Sequence, residues 1–273
     1  MFYLLDNWDK VKIRLKDEFL FLFLDYDGTL TPIVEKPEKA LFPRDAQGLL
    51  SELLKGGGLT LAVISGRALV DLRNLVGIED IIYVGNHGFE IEGPKIKFAN
   101  PLTQKYRMLL EQIKNDLEAK FSSIRGVFVE DKGFTLSLHY RLADEKDIPR
   151  IKTVFQEAVF PNLVKKRIKT TSGKMVLEVR PPVQWDKGKV MLWLLARQEF
   201  ILKNKAVFPI YIGDDVSDED AFRVLKGRGL PIFVGEPPKS HFAQYYLKNV
   251  KEVLHFLKLI LELKKDTAIC QSL

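Results

Sequence analysis

Phe19-Leu20-Phe21-Leu22-Phe23-Leu24-Asp25-Tyr26-Asp27-Gly28-Thr29-Leu30 begins as an unbroken apolar run and ends in two aspartates and a glycine. The apolar part is too short for a helix and stops at a turn signal, so it predicts a parallel strand buried on both faces. A segment of the same design lies far downstream, where Phe208-Pro209-Ile210-Tyr211-Ile212 runs into Gly213-Asp214-Asp215-Val216-Ser217-Asp218. Ligands of open α/β sheets bind beyond the carboxyl ends of the strands, which puts both acidic clusters on one crevice. Carboxylates crowded in this way repel one another unless a cation lies among them, and an oxygen-only donor set suits Mg²⁺.

Outward from these strands the chain alternates. A helix over 44–55 is stopped by Gly56-Gly57-Gly58, a strand over 59–64 meets Ser65-Gly66-Arg67 and a further helix, and a strand over 81–84 ends at Gly85-Asn86-His87-Gly88. From Pro101 the pattern changes to helix (102–121), hairpin (127–130 and 134–140), helix (145–158) and a second strand pair (165–170 and 174–179), closed by Pro181-Pro182. Parallel order then resumes with a helix from Lys187 to Ile201, the strand into Gly213, a helix from Asp218, a strand over 231–234 and a last helix over 248–264, after which the chain is expected to fray. The fold class expected is α/β: a doubly wound parallel-sheet (Rossmann-like) core, residues 1–99 and 184–273, with an inserted α+β cap over 100–183.

Composition limits the function classes. An apolar content of 46% with 29% charged residues describes a globular protein, and no apolar stretch reaches the roughly 20 residues of a bilayer span. Met1-Phe2-Tyr3-Leu4-Leu5-Asp6 lacks a basic region and a small-residue cleavage site, so no signal peptide is expected. The single cysteine, Cys270, rules out a disulfide framework and fits a cytoplasmic location. The excess of 42 basic over 36 acidic residues is scattered, with one run at Lys165-Lys166-Arg167-Ile168-Lys169. No recognition motif accompanies that run, so it reads as a solvated strand edge and no nucleic-acid partner is expected. Oligomeric state is not legible.

Asp25 and Asp27 flank Tyr26, and continued strand geometry would place them on one face. One carboxylate can attack phosphorus while the other handles the proton of the leaving oxygen, and Gly28 lets the backbone turn close to a phosphoryl group. D-x-D alone also occurs in glycosyltransferase and calcium sites, although the early glycine argues against an EF-hand. P-loop and dinucleotide fingerprints are absent from the sequence. Ser65 has the alternative role of a helix N-cap, and Lys187 that of a surface lysine.

Asp25-x-Asp27-Gly-Thr, Ser65, Lys187 and Gly213-Asp214-Asp215, in this order after their strands, resemble the four motifs of the haloacid dehalogenase superfamily. The resemblance implies that Asp25 is a nucleophile forming an aspartyl-phosphate and Asp27 a general acid–base. It further implies that Ser65 hydrogen-bonds a phosphoryl oxygen and that Lys187 supplies positive charge. Asp25, Asp214 and the Asp27 main-chain carbonyl would hold Mg²⁺, with Gly66, Arg67, Asp215 and Asp218 in the phosphate site or behind the metal.

The insert narrows the likeness. Glu130-Asp131-Lys132-Gly133-Phe134 with His139-Tyr140-Arg141 is similar to the signature of trehalose-6-phosphate phosphatases. So are Gly85-Asn86-His87-Gly88, Gly173-Lys174 with Glu178-Val179-Arg180-Pro181, and Asp186-Lys187-Gly188-Lys189, while Ser217 replaces the family's usual threonine. The implied substrate contacts are Asn86, His87, Glu130, Lys132, His139, Arg141, Lys174 and Glu178, with a small-molecule sugar phosphate as partner and no membrane. The alternative for the glutamates is a cross-strand ion pair within the cap sheet. The expected activity is Mg²⁺-dependent hydrolysis of trehalose 6-phosphate. The alternatives are another sugar-phosphate phosphatase (sucrose or glucosylglycerol phosphate) and a catalytically silent sensor.

Overall fold

The computed structural model describes residues 1–35, 39–203, 206–237 and 241–272. In chain order the elements are β1 (Phe2–Tyr3), α1 (Trp8–Leu15), β2 (Phe19–Asp25), α2 (Arg44–Lys55), β3 (Leu59–Ile64), α3 (Leu69–Val76), β4 (Ile82–Gly85), β5 (Glu90–Gly93) and β6 (Ile96–Ala99). There follow α4 (Pro101–Gln104), α5 (Arg107–Phe121), β7 (Phe128–Asp131), β8 (Leu136–His139), α6 (Ile148–Val164), β9 (Lys169–Gly173) and β10 (Val176–Arg180). The chain ends with α7 (Lys187–Ile201), β11 (Val207–Gly213), α8 (Glu219–Leu225), β12 (Leu230–Val234), β13 (Tyr245–Leu247) and α9 (Val250–Ser272). It divides into two compact units, residues 1–97 with 185–273 and residues 98–184.

The first unit is built on a sheet of order β1-β13-β12-β11-β2-β3-β4-β5-β6. β2 lies at its centre, parallel to β3 and β11, so both of its backbone edges are hydrogen-bonded. Strand alternation divides its side chains between two layers. Leu20, Leu22 and Leu24 join the large core cluster that includes Leu50 and Leu53 of α2 and Phe256 and Leu257 of α9. Phe21, Phe23 and Asp25 take the opposite parity, and the two phenylalanine rings stack at 4.0 Å. Burying each such side chain stabilises the fold by roughly 1.5–3 kcal/mol, which fixes the register of the strand that carries Asp25. The α/β core expected from the sequence is therefore present, and β2, α2, β3 and α7 begin and end where their residues predict.

The sheet also holds more than the sequence reading expects. β1 extends one edge by pairing parallel to β13. Beyond β4 the chain does not go directly to a helix: β5 turns back antiparallel to β4, and β6 follows it in the sheet. The expected helix over 102–121 is two helices, separated at Lys105 and Tyr106. The last helix runs past 264 to Ser272; the expected fraying falls on Leu273 and on side chains beyond Thr267, outside the described residues.

The second unit is a four-stranded antiparallel sheet of order β7-β8-β10-β9 with α5 and α6 on one face. Leu136, Leu138 and Val179 pack there against Leu117 and Phe121 of α5 and Phe155 of α6. The basic run lies in the turn that enters edge strand β9, with Lys165, Lys166 and Arg167 exposed and Ile168 buried. Among the described residues, no helix is long and apolar enough to cross a membrane.

Candidate active site

Asp25 is the last residue of β2, at the carboxyl end of the central strand, and is buried. Lys187 opens α7, whose N-cap is Asp186, with Oδ1 accepting from the Lys189 N–H at 2.8 Å. That start aims the Lys187 side chain inward, where Nζ donates to Asp25 Oδ1 at 2.8 Å and to Asp218 Oδ1 at 2.7 Å. Lys187 is 3% exposed, so the surface-lysine alternative fails. Asp218 is saturated: Oδ1 also accepts from the Tyr211 hydroxyl at 2.7 Å, and Oδ2 accepts from the Asp215 N–H at 2.9 Å. Asp215 thus serves the site through its backbone, behind Asp218.

Carboxylate oxygens of Asp25, Asp214 and Asp218 lie within 4.8 Å of one another, all three residues being buried. Lys187 pairs with two of these three carboxylates. Burial pushes the Asp25 carboxyl well above the usual carboxylate range, against the pull of Lys187 and with the help of Asp218 and Asp214. Burial also disfavours the Lys187 ammonium, yet Asp218 and Asp25 together hold its pKa well above that of an ordinary lysine. A divalent cation fits this donor set on chemistry, since its ligand atoms are hard carboxylate oxygens and, among the described residues, no histidine or cysteine joins the group. Asp218 already accepts three donors, so Asp25 and Asp214 are the side chains that would supply ligands to such an ion. Gly28 makes the room: at φ +87° a Cβ there would stand 2.0 Å from Asp214 Oδ2.

Asp27 leaves the strand and faces another partner. Arg67 grips it with both arms, Nε to Oδ2 at 2.8 Å and Nη2 to Oδ1 at 2.6 Å. The guanidinium lies over the Tyr26 ring, 5.2 Å from its centre, and the Tyr26 hydroxyl is anchored on the Ala40 carbonyl at 2.7 Å. Ser65 is not a helix N-cap, because α3 starts only at Leu69; its Oγ accepts from the Arg67 N–H at 3.1 Å and shapes the loop that presents Arg67. Gly66 is required there, since a Cβ would meet the His87 ring at 2.6 Å.

Asn86 and His87, expected at the substrate, are both buried and both left-handed, at φ 49° and 56°. Asn86 Nδ2 donates to Glu90 Oε2 at 2.6 Å, so its amide supports the reversal into β5. Trp185 Nε1 donates to the Gly88 carbonyl at 2.6 Å, tying the same loop to the residue two before Lys187.

In the cap, register puts Glu130, Ser137, Glu178 and Thr171 in one row across four strands, on the face opposite the apolar core. Glu178 accepts from Ser137 Oγ and Thr171 Oγ1, both at 3.2 Å, and pairs with Lys132 at 3.3 Å. His139 Nε2 lies 2.6 Å from Glu130 Oε2 and its ring stacks on Phe128. Arg141 instead donates to the Lys174 carbonyl at 2.6 Å, at the turn between β9 and β10. The cross-strand ion pair expected as the alternative for the glutamates is thus present, within a polar row of the cap sheet. The sequence reading missed Tyr211, Trp185, Ser137 and Thr171. The only signal for the last two was their position beside Glu178 in a paired register.

A doubly wound sheet with aspartates at the ends of two adjacent central strands, a buried lysine beside them and an inserted α+β unit is a fold shared with a haloacid dehalogenase-like hydrolase from Bacteroides thetaiotaomicron, with a TM-score of 0.61 at 17% identity over 89% of this chain and 100% of that one. Residues 23–251 match the trehalose-phosphatase family, and the chain belongs to it. It is 35% identical to trehalose-phosphate phosphatase B of Arabidopsis thaliana over 96% of this chain and 72% of that protein. It is also 35% identical to trehalose 6-phosphate phosphatase RA3 of Zea mays, over 93% and 73% respectively. Among solved structures, the C-terminal domain of the C. albicans trehalose-6-phosphate phosphatase matches with a TM-score of 0.81 at 26% identity, covering 94% of this chain and 98% of that one.

Proposed function

We propose that this chain hydrolyses trehalose 6-phosphate to trehalose and phosphate through an aspartyl-phosphate on Asp25, with Mg²⁺ held by Asp25, Asp214 and the Asp27 carbonyl. The observation that carries the reading is the buried Asp25–Lys187–Asp218 cluster in a chain of this family. A bound Mg²⁺ supplies positive charge to the phosphoryl oxygens and keeps the carboxylates beside it ionised.

An Asp25 oxygen attacks phosphorus, the bond from phosphorus to the sugar oxygen breaks, and Asp27 gives a proton to that oxygen. Water then attacks the aspartyl-phosphate, Asp27 takes its proton, and phosphate leaves with the Asp25 carboxylate restored. Lys187, fixed by Asp218, offsets charge on the transferring group without having to reorganise. Asp27 starts as a carboxylate bound to Arg67, so the acid step requires that pair to open and Asp27 to take up a proton from solvent first; an incoming phosphoryl anion is a competing partner for the guanidinium. The polar cap row of Glu130, Lys132 and Glu178 is read as the sugar contact, because charged groups make strong, selective bonds to hydroxyls.

Phosphate release from trehalose 6-phosphate, sucrose 6-phosphate and glucose 6-phosphate, with and without EDTA, tests the reading. Preference for the first and loss with EDTA are expected. Equal turnover of all three overturns the substrate assignment, and metal-independent turnover overturns the mechanism. Asp25→Asn is expected to abolish release while the protein still melts cooperatively.

A further inference from the structure

Tyr211 belongs to β11, beside Phe23 of β2 in the parallel register, two residues before Asp25 on the same face. It is fully buried, its ring meets Phe222 edge-on at 5.6 Å, and its hydroxyl donates to Asp218 Oδ1 at 2.7 Å. That same oxygen receives the Lys187 ammonium at 2.7 Å. Asp218 is wedged in place as well as bonded, for its Cγ lies 2.4 Å from where a Cβ on Gly213 would stand. Lys187 divides itself between this carboxylate and Asp25. Withdrawing the phenol leaves a buried anion short of one donor, and the nearest compensation is a closer approach by Lys187, away from Asp25.

We propose that Tyr211 is a positioning residue for Lys187: by donating to Asp218 it sets the carboxylate against which the ammonium is balanced, and so keeps the lysine on Asp25. The kinetic consequence rests on the phosphatase reading; the positional one does not.

Two measurements on the full chain separate them. In protein labelled with ¹⁵N-lysine, the Lys187 ammonium, assigned by its loss in Lys187→Met, is expected to exchange slowly and to shift in Tyr211→Phe. An unmoved signal overturns the proposal. In turnover, Tyr211→Phe is expected to lower kcat by about tenfold or more, as loss of a hydrogen bond to a charged group does, with KM within about twofold. In the Lys187→Met background the same change is expected to add nothing, since the phenol acts only through the lysine. Multiplying effects, or a kcat within about twofold of wild type, overturn the kinetic role. Phe222→Leu loosens the ring's packing but keeps the hydroxyl, and it is expected to lower the melting temperature with kcat maintained. An equal loss of kcat in that variant would show that packing alone is responsible. A shifted ammonium in a protein that releases no phosphate would uphold the positioning and sink the phosphatase reading.

Discussion

At Gly28 one missing carbon holds the site open. Gly28→Ala combines a left-handed backbone, costing about 1–2 kcal/mol for an L side chain, with a methyl placed on Asp214. Asp214 must shift, so the expected result is a much weakened Mg²⁺ response in a melting titration together with loss of turnover; an unchanged response would mean that Asp214 does not hold the ion. Arg67→Lys keeps the charge but replaces a two-armed grip on Asp27 by a single contact. It is expected to reduce turnover of the sugar phosphate more than that of p-nitrophenyl phosphate, whose leaving group needs little protonation; equal losses would detach Arg67 from the acid step. Much of this cluster was visible in the sequence, because aspartates at strand ends and a lysine opening a helix announce themselves locally. The Arg67–Asp27 pair was not, since partners 40 residues apart meet only once β2 and β3 are aligned, and the Tyr211 bond was not, since it needs the turn after β11 to fold Asp218 back toward its own strand. Tyr211 in particular looked like one more aromatic in a buried strand.

The cap sheet shows the same separation on the scale of an element. On its two middle strands the faces alternate, with Leu136, Leu138, Leu177 and Val179 toward α5 and α6 and Ser137 and Glu178 away from them. Leu138→Ala, on the packed face, is expected to destabilise the cap by about 2–5 kcal/mol in a denaturant melt. Glu178→Gln, on the other face, is expected to lower turnover of trehalose 6-phosphate by about ten- to a hundredfold, as removal of a charged hydrogen-bond partner does. It should spare a small aryl phosphate. If both substrates suffer alike, the glutamate serves the sheet through Lys132, Ser137 and Thr171 and not the sugar. The hairpins were readable because alternation is a period-2 signal. The β5–β6 hairpin escaped notice because Glu90-Ile91-Glu92-Gly93 offers a single apolar residue, and because the reversal before it uses left-handed Asn86 and His87 where the sequence suggested only a loop end.

For the whole molecule, a cation bound between β2 and β11 would stabilise the folded chain by mass action, by about 2.7 kcal/mol at a hundredfold excess over its dissociation constant. Mg²⁺ is accordingly expected to raise the melting temperature of the wild type, EDTA to reverse this, and Asp214→Asn to abolish it. Absence of any shift in the wild type would argue against a resident metal.

The pairing of β2 with both β3 and β11 has a consequence for biosynthesis. β3 leaves the ribosome soon after β2, but β11 is separated from it by the entire cap. Throughout that interval a strand of alternating phenylalanine and leucine has one open hydrogen-bonding edge, the kind of template on which nascent chains pair wrongly. The nascent cap, whose contacts are local by comparison, can fold while the catalytic sheet waits. Asp25 and Lys187 therefore come together only after the cap has been made, and a nascent chain truncated within the cap would expose β2 with half of its partners unmade.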